Sequence, residues 1–182
     1  MAAKQFIGKR GLYLSWATLF VYGGFLFNFG PYSALKAAIG GKELPEERFG
    51  VKGAEFYQFL EKIGAPGLQT YSNFQILDYL NGILLAFALF CTLYVFLERL
   101  GASQNIRSIL VLPVSMGILD VLENTGFLYL VNQYPAKLEG FYSYVAFVTN
   151  AKLVFGMFGF LALIFCAAAM IGKAIFGRIR EE

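Results

Sequence analysis

Asp78, Asp120, Glu123 and Lys152 stand in stretches of sequence otherwise apolar enough to cross a bilayer. An ionisable side chain is costly there and marks a candidate functional site. Three potential anions face one cation, an excess that cannot stay bare at low dielectric. Either a carboxyl is protonated, or water, a metal cation or a cationic ligand group joins the cluster. Paired carboxylates in unequal environments perform general acid–base work, and carboxylates with amide oxygens coordinate Mg²⁺ or Ca²⁺. The spacing D-x-x-E-N selects neither chemistry by itself. The competing reading is structural: Lys152 pairs with Asp120 or Glu123, and the amides of Asn81, Asn124 and Asn150 complete a network that holds helix register.

Spacing supports a shared layer. Gln75, Asp78 and Asn81 recur every three residues with Gly82 beside them, so one helix face is polar. Asp120, Glu123 and Asn124 occupy i, i+3 and i+4 positions and also share a face. Thr149, Lys152, Gly156 and Gly159 form a small-and-polar stripe with Asn150 to its side, and Asn28 lies near the end of the first apolar run. Asn81, Glu123 and Asn150 fall about eight residues, about 12 Å, from the outer ends of their expected helices. One layer in the outer half of a membrane follows.

The elements that must carry this layer are four apolar runs. Hydrophobic residues make up 58% of the 182-residue chain and charged residues 15%, outside the balance of soluble domains. Each run is near the length a spanning helix needs, and the spans are expected at about Gly11–Gly30, Phe74–Leu97, Arg107–Val131 and Tyr142–Ile175. The expected fold is one all-α domain over residues 1–182, an integral membrane four-helix bundle with an amphipathic helix in its first outer loop. The first run continues too far and lacks the small-residue cleavage site of a secretory signal, so it reads as a true span. Within the loop from Pro31 to Asn73, Phe56, Phe59, Leu60 and Ile63 recur at helical spacing over Ala54–Ile63, and Gly64 suits a helix stop. Such a helix lies on the bilayer surface or caps the bundle. Gly156 and Gly159 allow close helix packing, Pro113 bends or starts the third span, and Tyr71, Tyr129, Tyr134, Tyr142 and Tyr144 are expected mainly in an interfacial belt.

Lys4, Lys9, Arg10, Arg99, Arg107, Lys173, Arg178 and Arg180 would all flank the spans on one side, which predicts both termini inside, in cytoplasm, matrix or stroma. A net charge of +3 spread over helix ends gives no nucleic-acid footprint. The chain contains no histidine, which excludes His-ligated haem, His-box di-iron and His-ligated zinc chemistry. Cys91 and Cys166 lack C-x-x-C spacing and read as packed apolar residues. Phosphate-loop, hydrolase-elbow and glycosylation motifs are absent from the sequence. No cofactor or resident metal is expected.

The run Arg48-Phe49-Gly50, then Tyr57, Leu60, Tyr71, Asp78 and Leu119-Asp120-Val121-Leu122-Glu123-Asn124, resembles a set of mostly bacterial four-span membrane proteins without an assigned activity; the likeness covers Arg48–Gly156. It implies that the polar layer belongs to a fold type and carries no reaction with it. The layout of four helices with intramembrane acids is also similar to the sterol-isomerase and sigma-2-receptor superfamily, which implies a pocket for amphiphilic amines or sterols. That likeness is architectural and transfers no residue role. Two functions are therefore expected from different classes: binding of a membrane lipid or amphiphile at Asp78, Asn81, Asp120, Glu123, Asn124, Asn150 and Lys152, or service as a non-catalytic subunit among the partners of a larger membrane assembly.

Overall fold

The computed structural model describes residues 9–179, and among them every regular element is helical. The first long helix, α1, runs Lys9–Asn28; α2 runs Pro31–Ala38, and a single 3₁₀ turn covers Pro45–Glu47. The second long helix, α3, runs Gly53–Leu100, followed by the short α4, Gln104–Arg107, a 3₁₀ turn over Ser108–Leu110, α5, Val111–Gln133, and α6, Glu139–Ile179. Four of these helical stretches are long and apolar enough to cross a membrane. Lys4 and Arg180, counted above for orientation, lie outside the described residues, as do the side chains of Lys9 and Arg178.

The break at Gly64 organises one end of the bundle. Its φ of 63° is left-handed, a conformation that side chains resist, so α3 is two helices joined at a corner, residues 53–63 and 65–100. Pro66 follows as an early residue of the second piece, where its missing N–H is harmless. The helix that carries the second apolar run thus starts nine residues before the expected Phe74. The polar Gln69, Thr70 and Asn73 resemble loop sequence, but they face outward on a helix that projects beyond the apolar run. At its other end Gly101 (φ 70°) caps the helix, and Ala102 N–H returns to Leu97 O at 3.0 Å.

Residues 31–63 fold back over this end as a cap. The 53–63 helix buries Phe56, Tyr57 and Leu60 completely or nearly so, with Ile63 at its edge, against Phe127, Leu130, Tyr142 and Val145 of α5 and α6. Of the two positions expected for this helix, capping the bundle is the observed one. Tyr57 takes the inward place expected of Phe59, which is only half-buried. Its hydroxyl accepts from Leu138 N–H at 2.7 Å, and the Tyr142 hydroxyl donates to Val51 O at 2.9 Å, so the cap is pinned by polar as well as apolar contacts. Burying several aromatic side chains at about 1.5–3 kcal/mol each is ample to hold it.

Two of the expected belt tyrosines are consequently core residues. Tyr71 is fully buried and Tyr142 nearly so, whereas Tyr129 and Tyr144 are exposed. Below the cap α5 packs on α3 and α6, and α1 packs on α3. Trp16 donates to Thr92 Oγ1 at 2.9 Å and Tyr22 to Leu77 O at 2.7 Å across the α1–α3 seam. Farther from the cap the interior is apolar: Ala86, Leu89 and Met116 form one cluster, and Leu93, Leu97 and Cys166 another. Cys91 and Cys166 are buried free thiols. Pro113 is the third residue of α5 and starts it. Gly156 lies tight under Met116, where a Cβ would sit 3.2 Å from Sδ, but Gly159 has open space and does not serve close packing.

Candidate functional site

A polar layer separates the aromatic cap core from the apolar clusters below. It is built from one face each of α3, α5 and α6. Periodicity puts Gln75, Asp78 and Gly82 of α3, Asp120, Glu123 and Asn124 of α5, and Thr149 of α6 inward, and all are buried. Lys152 is the cation between them. It donates to Glu123 Oε2, and its Nζ lies 3.2 Å from Asp120 Oδ1. Asn124 Nδ2 donates to Asp120 Oδ2 at 3.3 Å. Asp78 accepts from Asn81 Nδ2 at 3.1 Å and lies within electrostatic range of Asp120, but among the described residues it forms no ion pair. The close approach of α3 to α5 requires Gly82, because a Cβ there would overlap the Asp120 carboxylate.

Six of the seven residues expected at the site, Asp78, Asn81, Asp120, Glu123, Asn124 and Lys152, therefore belong to this layer. Asn150 does not. Its Oδ1 accepts the Gly50 N–H at 3.0 Å and ties the cap loop to α6. The depth expected for Asn150 assumed that the protein ended where the apolar run ended, whereas the cap descends onto the helix at that level. Asn28 also lies outside the layer, exposed, with its amide donating to Gly24 O at 2.8 Å.

A fourth carboxyl, absent from the expected set, forms the roof. Glu46 is buried beneath the cap, accepting from the Tyr71 hydroxyl at 2.9 Å and from Gln75 Nε2 at 2.7 Å. Burial, reinforced by the charge of Glu123, pushes its pKa up to about 8. It is therefore a neutral acid at pH 7. Its neighbour Glu47 faces the other way, accepting from Tyr32 at 2.5 Å, from Leu44 N–H at 2.6 Å and from Lys36 at 3.1 Å. Glu46 sits in the hydrophilic run Glu43-Leu44-Pro45-Glu46-Glu47-Arg48, which reads as solvated loop. The one local hint is the apolar Leu44-Pro45 pair, itself buried.

Comparison of the chain with protein-family models, curated proteins and solved structures finds no match.

Among the described residues three buried acceptor atoms have no hydrogen-bond partner: Gln75 Oε1, Glu123 Oε1 and Asn124 Oδ1. Leaving such atoms unmatched costs about 1–3 kcal/mol each, so a layer that keeps three of them is incomplete as a purely structural network. No three acidic, cysteine or histidine side chains among the described residues approach closely enough to hold a metal ion. A surface cleft of about 470 Å³ opens on the cap beside Lys42, Arg48, Phe59 and Lys62, and no layer residue lines it.

Proposed function

We propose that the chain is an integral membrane protein that receives the headgroup of a lipid or other amphiphile in the polar layer beneath the cap. One observation carries this reading: Glu123 Oε1 and Asn124 Oδ1, adjacent on α5 and fully buried, have no donor in hydrogen-bond geometry among the described residues, although the Thr149 hydroxyl borders the Glu123 carboxylate, and they lie beside a surplus of carboxyls over the single Lys152. A headgroup bearing hydrogen-bond donors supplies what those atoms lack. Arg99, Arg107 and Lys173 gather at the end opposite the cap, where Lys173 Nζ donates to Arg99 O at 3.0 Å. That grouping supports an orientation with both termini inside and the cap outside.

The test is native mass spectrometry with lipid identification on protein purified gently from its own membrane. One recurrent amphiphile on the 20.2 kDa chain, lost from Glu123→Gln at unchanged helical content and unfolding temperature, is the expected result. A wild-type chain that carries none overturns the reading.

A second reading, a non-catalytic subunit of a larger membrane assembly, is favoured by the double engagement of Lys152, which joins α6 to two positions of α5 as a register lock. Co-purification in fixed ratio with other chains, and loss of folding rather than of a ligand in Glu123→Gln, would select it.

A further inference from the structure

We infer that the Pro45–Glu47 turn is a proton-operated plug over the polar layer: neutral Glu46 seats it, and the ionised carboxylate unseats it. The inference rests on the proposed binding reading only for what an open plug would admit. Its structural part stands by itself.

The geometry has three components. First, Glu46 enters the protein from a loop, yet both of its oxygens are engaged on α3, by Tyr71 and Gln75, so this side chain is the polar contact that seats the turn on its inner side, beside the apolar contacts of the buried Leu44 and Pro45. On its outer side Glu47 anchors the same turn to α2 through Lys36 and Tyr32, contacts that do not involve Glu46. Second, a neutral carboxyl carries one proton that needs an acceptor. Gln75 Oε1 is a buried acceptor without a donor on the same amide that touches Glu46. Turning that amide end for end, an assignment ordinarily made from the hydrogen-bond network, lets the Glu46 O–H donate to Gln75 Oε1 and moves Nε2 to the unmatched position. Third, the groups that face Glu46 from the packed elements disfavour a second negative charge. They are Tyr71 of α3, Glu123 of α5, and Tyr142 and Lys152 of α6, and the one cation is already shared by Asp120 and Glu123. An ionised Glu46 would face Glu123 in a buried site with no cation of its own. Leaving for water relieves both the repulsion and the desolvation. Its pKa of about 8 places this change at mildly alkaline pH.

The experiment is hydrogen–deuterium exchange on the full chain in phosphatidylcholine nanodiscs, below and above pH 8 and corrected for intrinsic rates. Wild type should show exchange over residues 42–52 at least about tenfold faster one unit above than one unit below the Glu46 value, while Glu46→Gln, which keeps a neutral side chain, stays protected throughout. Equal protection of wild type on both sides, or the same opening in Glu46→Gln, overturns the inference. Should that variant fail to fold, infrared spectroscopy on wild type decides: the carbonyl stretch of a buried neutral carboxyl must disappear over the range in which exchange rises, and its persistence overturns the inference. Amphiphile retention at neutral pH is measured on the same preparation. A static plug with amphiphile retained sinks only the plug, and a moving plug with nothing retained sinks only the binding reading.

Discussion

At the end opposite the cap, Arg107 reaches Glu98 with side chains 30% and 39% exposed, and the pair sits at a helix corner in contact with solvent. In the layer, Lys152 sits between Asp120 and Glu123 with the three side chains 14%, 9% and 0% exposed. The contacts are of the same chemical kind. The surroundings make them unequal: the corner pair can exchange its partner for water at little cost, while the layer group has no such exchange available. Ion pairing near the corner decorates the fold, whereas ion pairing in the layer constrains which helices lie against one another and what else can enter.

The sharpest way to break this contrast is Lys152→Met. It leaves Asp120 and Glu123 buried without a cation and should destabilise the protein by about 3–5 kcal/mol, measured by denaturant or thermal unfolding in detergent. Adding Asp120→Asn and Glu123→Gln should restore most of that loss. If Lys152→Met alone costs no more than a surface pair, water enters the layer freely and the contrast fails.

Glu46 sharpens the comparison through pH. Its folded value of about 8 exceeds the ordinary 4.5, so between those limits the folded state holds a proton that the unfolded chain releases. Stability is thus fully present below about 4.5, falls as pH rises, and levels off above about 8. The slope should approach about 1.4 kcal/mol per unit inside that window, and the Glu46→Gln profile should lack this component. Unfolding titrations of both proteins across the window provide the check.

Gly82→Ala probes packing rather than charge. Its Cβ collides with the Asp120 carboxylate, and the expected cost is about 1–3 kcal/mol. A double-mutant cycle with Asp120→Ala should recover the steric part, and strict additivity would place the clash elsewhere. The smallest effect belongs to Arg107→Ala, about 1 kcal/mol or less and shrinking with added salt.

These residues also separate what could be read from sequence from what could not. Asp78, Asp120, Glu123 and Lys152 stood out because a charge in an apolar run has few inexpensive explanations, and helical spacing then gave their common faces. The Gly64 stop was readable because glycine and proline act through local backbone preference. Glu46 escaped because its burial arises from long-range folding: within Glu43–Arg48 only the apolar Leu44-Pro45 pair hints that the carboxyl lies under an aromatic cap rather than in water. Tyr71 and Tyr142 were misplaced for the same reason, since a tyrosine near the end of an apolar run suits an interface until another segment covers it. Asn150 failed because depth was counted along single helices, while the loop that meets it comes from a distant part of the chain.

The cap has a consequence for the order of events during biosynthesis. Its polar anchors join Tyr57 to Leu138 and Val51 to Tyr142, 81 and 91 residues apart in sequence. A growing chain therefore makes the cap long before it makes the surfaces that receive it. Until α6 has emerged, Phe56 and Tyr57 lack part of their seat, and any nascent chain halted after α5 presents an unsheltered aromatic face to the cell's quality-control machinery. Completion of the last helix is thus the step that hides the first loop.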